Sequence, residues 1–189
     1  MGGINSFEKP EFEALGVKKG AGYELRKYKQ AYWTSTAVKA SDFDKSTSTA
    51  FRRLFQYIRG ANEPENKVSM TVPVTMAIKS DTADGETEMV MSFYLPKKHQ
   101  QSPPAPTEAG VYTEHRDELT VFVRQFGGFA KGKDWFRESA SLREDLKRDG
   151  VTDVDRSVFY AVAYNSPFRR FWRTNEVWIR KMLTKTSRV

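Results

Sequence analysis

The chain has 189 residues, of which 39% are hydrophobic and 13% aromatic, and its 31 basic and 24 acidic side chains give a net charge of +7. This composition predicts a globular fold, either one domain or two fused small halves, with a charge that favours anionic partners. Because the chain has no cysteine, a disulfide framework, a thiolate zinc site and a thiol nucleophile are all excluded.

The N-terminal residues differ from the rest of the chain. Residues 1–21 are rich in Gly, Glu and Lys and predict a flexible arm before a single folded domain, 22–183, with a short tail at 184–189. Gly2 and Ser6 match the minimal myristoylation pattern, so membrane contact is expected only if Gly2 is acylated. The sequence has neither a membrane-spanning apolar run nor a secretory signal, which favours a soluble cytoplasmic protein.

The first half, about 22–96, follows the order strand, strand, helix, strand, strand. Alternating apolar and polar residues predict its strands at 23–28, 31–39, 74–79 and 88–95. Its helix is predicted by apolar residues at helical spacing, by a capping side chain and by a glycine stop: Phe51, Leu54, Phe55 and Ile58, Ser41 or Asp42, and Gly60.

The second half, about 111–183, repeats this order after a proline-bearing connection. Its predicted strands are 111–116, 119–126, 158–164 and 175–182, the first two forming a pair around Asp117-Glu118, and its helix is 134–149.

The two halves keep a nearly constant offset. Trp33 and Phe122 are 89 positions apart, and Gly60 and Gly150 are 90 apart. We therefore predict an α+β fold in which a duplicated, pseudo-two-fold ββαββ unit forms a distorted eight-stranded antiparallel barrel with two helices. A groove between helix and sheet is expected in each half.

Signatures of common enzymes are missing from the sequence. It contains no Walker loop, no dinucleotide-binding glycine motif, no zinc-protease motif and no nucleophile elbow, so we expect a protein that is not an enzyme. His99 and His115 each lack the neighbouring ligands of a metal site and are interpreted as surface histidines. The methionines at alternating strand positions are interpreted as core residues.

The late loop, 166–173, alternates large rings with arginines. This pattern suits a flat aromatic ligand with anionic groups, and it equally suits single-stranded nucleic acid. A third interpretation is that Phe168 and Trp172 anchor the loop to the core while its arginines stay in water. Arg52 and Arg53 flank the apolar face of the first helix and could add cations to the same groove.

Six ordered segments between about residues 22 and 182 resemble the SOUL haem-binding protein family: 23–28 (YELRKY), 70–75 (MTVPVT), 102–106 (SPPAP), 120–124 (TVFVR), 164–167 (YNSP) and 175–178 (NEVW). The resemblance implies the same pseudo-symmetric barrel with two helices. It also implies binding of haem or a related tetrapyrrole without catalysis.

The resemblance further implies a place for the ligand, in an apolar groove beside the first helix and the late loop. The corresponding haem-binding residues are Phe51, Arg53, Leu54, Phe55, Phe168 and Arg169. Arg53 and Arg169 are expected to meet the propionates. A histidine proposed as the iron ligand in part of the family corresponds to Lys27 here, so no histidine axial ligand is expected.

The second helix is the basis of an alternative functional prediction. Leu142 and Leu146, four residues apart and followed by Asp149, either dock in a partner groove or are buried in their own domain. The family resemblance links this helix to Bcl-family proteins, and so to a protein-interaction module in mitochondrial cell-death signalling and a mitochondria-associated location. Specific nucleic-acid binding is not expected, because no recognised module is present.

Overall fold

The computed structural model describes residues 7–16, 20, 22–79, 87–165 and 173–183. Its elements in chain order are β1 (Phe12–Gly16), β2 (Glu24–Tyr28), β3 (Ala31–Lys39), α1 (Phe43–Arg59), β4 (Asn62–Glu63), β5 (Val74–Lys79), β6 (Glu88–Tyr94), a 3-10 turn (Lys97–His99), β7 (Ala105–Pro106), β8 (Val111–Arg116), β9 (Leu119–Gly127), α2 (Gly132–Arg148), β10 (Val158–Ala163) and β11 (Thr174–Arg180). Neither α1 nor α2 is long and apolar enough to cross a membrane.

The first helix begins and ends where the sequence predicts. The Asp42 carboxylate accepts a hydrogen bond from the Lys45 backbone N–H at 3.2 Å, which caps one of the free donors of the first turn. Gly60 ends the helix at a φ of 129°, which a side chain rarely adopts. Between these caps, one face of α1 is buried against the sheet.

Nine strands form one strongly curled, open antiparallel sheet in the order β1-β2-β9-β11-β10-β5-β6-β3-β8. Eight of these strands, all except β1, are equivalent in pairs: β2 with β8, β3 with β9, β5 with β10, and β6 with β11. Exchanging the members of each pair reverses the order of the eight strands and leaves their pairings unchanged. The pseudo-two-fold axis therefore passes between β5 and β10. The predicted α+β fold and its duplication are confirmed.

The predicted pairing of the first two strands of the second half is wrong. β8 pairs with β3, and β9 pairs with β2 and β11, so neither strand contacts the other in the sheet. A two-residue hairpin needs positive φ angles at its turn. Glu65 is the one non-glycine residue with positive φ in the described chain, so Asp117-Glu118 cannot make such a hairpin. Instead, the first strand of each half pairs with the second strand of the other half, β2 with β9 and β8 with β3.

The strand β1 lies within the predicted N-terminal arm and was not predicted from the sequence. It pairs antiparallel with β2, with Phe12 opposite Tyr28 and their rings 5.0 Å apart. The residues of β1 are all exposed, so it lacks the alternation of a half-buried strand. A second small sheet, β4 with β7, uses the extended proline segment predicted before β8.

The sheet buries both of its faces. On the helix-covered face, α1 and α2 close the main core, which contains the alternate residues of the central strands. On the helix-free face, the curl of the sheet brings a smaller cluster together: Tyr28, Val121, Val123, Val162 and Trp178.

Candidate ligand-binding sites

A pair of aromatic rings lies at the surface of α1. Phe51 and Phe55 are stacked with their centroids 5.8 Å apart and an interplanar angle of 17°. Phe51 also meets Phe93 of β6 edge-on at 5.4 Å, while Phe55 is 38% exposed. Leu54 is buried beneath the helix and holds it on the sheet. This ring pair, together with Leu54, brings three of the predicted haem-binding residues together.

Arg53 lies on the other flank of α1. It is two residues from each phenylalanine and so about 200° around the helix from both. Its Nη1 atom is 3.4 Å from Thr36 Oγ1 and 3.5 Å from the carbonyl oxygen of Ala37, both on β3. There it borders a cavity of about 490 Å³ between β3 and the N-terminal half of α1. The structure therefore separates Arg53 from the ring pair.

Other cations of α1 lie nearer to the ring pair. The Arg59 guanidinium is 5.8 Å from the Phe55 ring centroid, and Arg52, three residues before Phe55, is exposed. Arg59 was not among the residues predicted from the sequence, although its i+4 spacing from Phe55 was a usable signal. Phe168 and Arg169 lie outside the described residues, so their predicted roles stay predictions.

The residue in place of the family histidine is held in an ion pair. Lys27 Nζ is 2.8 Å from Glu118 Oε2, and this hydrogen bond raises the pKa of Lys27 above its usual value. A lysine kept protonated has no lone pair for iron. In the described part of the chain, no group of three His, Cys, Asp or Glu side chains is placed to hold a metal ion.

The two histidines occupy different environments. His99 is half-buried in the 3-10 turn with its Nε2 atom unpartnered, and burial lowers its pKa, with nearby Lys98 acting in the same direction. His115 is half-exposed on β8, 3.7 Å from Asp117 and edge-on to Tyr32. Neither histidine belongs to a cluster of metal ligands among the residues that the structure describes.

A buried ionic network lies on the helix-free face and was missed by the sequence analysis. Glu176 accepts hydrogen bonds from four side chains: Arg26 at 3.0 Å, Gln125 at 3.0 Å, Tyr164 at 3.0 Å and Trp178 at 2.7 Å. Burial, and then the charge of Glu176, raise the pKa of Tyr164, so its hydroxyl remains a donor. The network borders a cavity of about 510 Å³ that β1 and the segment before it help to line.

The pseudo-two-fold axis relates this network to a second one. Arg116 of β8 hydrogen-bonds Ser92 and Thr75, and its guanidinium lies 4.4 Å from the Trp33 ring centroid. Each arginine also pairs with the glutamate two residues before it, Glu24 or Glu114. A Glu-x-Arg pattern repeated 90 positions apart was therefore a sequence signal for both networks.

The predicted partner-binding residues of α2 are packed in the fold. Leu142 and Leu146 are both buried in the main core. The Asp149 carboxylate accepts a hydrogen bond from the Tyr23 hydroxyl at 2.9 Å, which ties the end of α2 to the start of β2. A partner could reach these leucines only if the helix left the sheet, and the predicted contact stays a prediction.

Comparisons with known proteins agree with this architecture. The sequence model described as "SOUL heme-binding protein" matches residues 7–180. "Heme-binding protein 2" of Homo sapiens is 39% identical over 168 residues, covering 88% of this chain and 81% of the relative. "Heme-binding protein 1" of Xenopus tropicalis is 32% identical over 184 residues, covering 96% of this chain and 94% of the relative.

Two solved structures show the same fold at low sequence identity. The EcmrR C-terminal domain aligns with a TM-score of 0.62 at 9% identity, covering 85% of this chain and 98% of that one. SAV2435 bound to tetraphenylphosphonium aligns with a TM-score of 0.52 at 9% identity, covering 84% and 93%. At this identity, the likeness concerns the fold alone.

Proposed function

Because the chain belongs to the SOUL haem-binding protein family, we propose that it binds haem or a related tetrapyrrole and catalyses no reaction. The observation that carries this proposal is the stacked pair Phe51 and Phe55, which leaves apolar ring surface at the protein exterior. A flat macrocycle can cover such a surface, and the burial of apolar area is worth about 25 cal/mol per Å².

The charges around the ring pair suit the propionates. Arg59 stands beside Phe55, and Arg52 is exposed on the adjoining side of the helix, so both can meet carboxylates at the edge of the macrocycle. The roles predicted for Arg53 and Arg169 remain part of the proposal. Arg53 would have to act from the opposite flank of α1.

Haem, when bound, supplies the iron and the Soret absorption band. The chain's own residues contribute stacking and charge, with no histidine as an axial ligand. The ion pair between Lys27 and Glu118 supports this view, because it keeps Lys27, which occupies the position of the family's histidine, in its protonated form. Affinity should therefore depend on the rings of α1.

Absorption titration with haem tests the proposal. We expect a shifted Soret band, and about tenfold weaker binding for Phe55→Ala, which corresponds to about 1.4 kcal/mol of lost stacking and burial. Arg59→Glu should weaken binding more than Arg53→Glu, and Arg169→Glu tests the late loop.

The control for these variants is Tyr112→Ala, which removes a ring of β8 that is 39% exposed, close to the 38% of Phe55. Lys27→His shows whether a histidine at this position changes the iron spectrum. A spectrum identical to that of free haem, or equal losses in Phe55→Ala and Tyr112→Ala, would contradict the proposal.

The alternative function, a cell-death module that engages Bcl-family proteins through α2, is disfavoured by the burial of Leu142 and Leu146. Co-purification with a Bcl-family protein that is lost in Asp149→Ala would restore it. Cytoplasmic or mitochondria-associated location stays a prediction, as does acylation of Gly2.

A further inference from the structure

A cavity of about 550 Å³ lies beside α2, away from the ring pair of α1. It is enclosed by one side of α2, by the segment that follows the helix and by the start of β10. Its apolar walls are Phe136, Ala140, Leu146, Val151, Val154 and Phe159. This volume lies within the range of small-molecule sites, about 300–1,000 Å³.

The charged side chains that line the cavity are mainly basic. Three cations line it, Arg143, Lys147 and Arg156, together with a single carboxylate, that of Glu144. Within the described residues, none of the three cations forms an ion pair with a carboxylate. Arg143 donates instead to the backbone carbonyl of Asp155, at 3.2 Å.

This lack of ion pairs is unusual for this half of the protein. Most of its other described cations are paired with carboxylates, Lys133 of α2 being an exception: Arg116 with Glu114, Arg124 with Glu138 and Asp145, Arg137 with Asp134, Arg148 with Asp145, Arg180 with Asp155, and Lys181 with Asp153. The cavity thus brings together three cations that form no ion pair with the described carboxylates.

Two of these cations, Arg143 and Arg156, repel one another electrostatically. Burial lowers the pKa of Arg143, and the nearby Arg156 acts in the same direction, against the opposing effect of Asp155. An anion held between the two guanidiniums would relieve this repulsion in a partly desolvated place, where a charge-assisted hydrogen bond is strong.

We propose that the cavity beside α2 binds a small amphipathic carboxylate, with its apolar body against Phe136 and Phe159 and its carboxylate between Arg143, Lys147 and Arg156. The edge-on contact of the two rings, with centroids 5.3 Å apart, leaves a wall suited to a flat or cyclic apolar body. The site is separate from the proposed haem surface on α1 and does not depend on it.

Titration with 2-naphthoate, compared with the neutral 2-naphthamide, tests the proposal on the full chain. Naphthoate should bind with a Kd of about 1 mM or lower, as expected for its size, and at least about tenfold more tightly than the amide. Backbone amide shifts in NMR should map to α2 and to residues 151–156.

Three variants locate the site. The double variant Lys147→Glu/Arg156→Glu should weaken naphthoate about tenfold or more and leave naphthamide unchanged. Ala140→Phe should fill the cavity and weaken both probes. The matched charge-reversal control, Lys98→Glu/Lys133→Glu, changes two exposed lysines outside the cavity and should leave both affinities unchanged.

The proposal is overturned if naphthoate fails to bind at millimolar concentration or binds no better than the amide. It is also overturned if the control double variant loses as much affinity as Lys147→Glu/Arg156→Glu, or if Ala140→Phe leaves binding intact. Far-UV circular dichroism of each variant confirms that the fold is retained. Haem titration of the same variants should give unchanged Soret shifts.

Discussion

The side chain of Glu176 shows how much of this fold depends on single polar groups. Its carboxylate is 2% exposed and accepts hydrogen bonds from Arg26, Gln125, Tyr164 and Trp178. A buried charge is tolerated only when it is paired and its lone pairs are satisfied. The network satisfies the Glu176 carboxylate in this way, although the Nε atom of Arg26 is buried without a hydrogen-bond partner.

Glu176→Gln should leave the buried Arg26 guanidinium with only the partly exposed Glu24 as a counter-charge, and we expect a loss of about 1–3 kcal/mol in the free energy of unfolding, measured by urea denaturation. The double variant Arg26→Met/Glu176→Met should lose less than the sum of its single variants, because neither charge is then left alone.

The control for this experiment is the exposed ion pair of Lys27 with Glu118. Glu118→Gln should change the free energy of unfolding by about 1 kcal/mol or less. If Glu176→Gln proves no more costly than Glu118→Gln, the network does not contribute as described.

At the scale of elements, α1 and α2 occupy equivalent places in the two halves yet present different surfaces. α1 exposes a stacked pair of rings, whereas α2 exposes one ring, Phe136, among charged side chains above two buried leucines. The same packing of helix on sheet therefore supports two different kinds of surface, and both proposed ligand sites use the outer side of a helix.

Leu142→Ala and Leu146→Ala should each lower the free energy of unfolding by about 2–5 kcal/mol, since each removes a buried side chain and leaves a cavity. Leu183→Ala is the matched control, because Leu183 is 90% exposed and should change stability by about 0.5 kcal/mol or less. Wild-type stability in Leu146→Ala would mean that α2 is not packed as described, and would favour a role in partner binding.

The bounds of these elements were predictable because they depend on short sequence patterns, namely helix caps and the alternation of apolar and polar residues. The caps at Asp42 and Gly60 and the alternation of Val74, Met76 and Ile78 in β5 each lie within a few neighbouring residues. Strand pairing was not predictable in the same way, since the partner of β8 lies in the other half of the chain. The phenylalanines of α1 were found from their spacing, but the flank on which Arg53 lies depends on contacts with β3.

The two halves of the molecule are held together by strand pairings between them. β2 of the first half pairs with β9, β8 of the second half pairs with β3, and the central pair is β5 with β10. Each half alone would lose all three pairings and expose its strand edges. Neither half is therefore a folding unit.

Residues 7–96 and 111–183, produced separately, should each lack a cooperative thermal unfolding transition by circular dichroism. Mixed together, they should form a one-to-one complex that regains it. As a control, a protease site placed at residues 107–110 of the intact chain should be cleaved without separating the halves on gel filtration. A monomeric half that unfolds cooperatively would contradict the interlocked arrangement.

The symmetry of the sheet order bears on how such a chain could have arisen. A gene encoding one ββαββ unit would yield a polypeptide that completes this sheet only by pairing with a second copy of itself. In that pair, the first strand of each copy would add to the sheet of the other copy. Such an ancestor would have existed as an interlaced homodimer, and fusion of two copies would have freed each side to diverge, one toward exposed rings and the other toward unpaired cations.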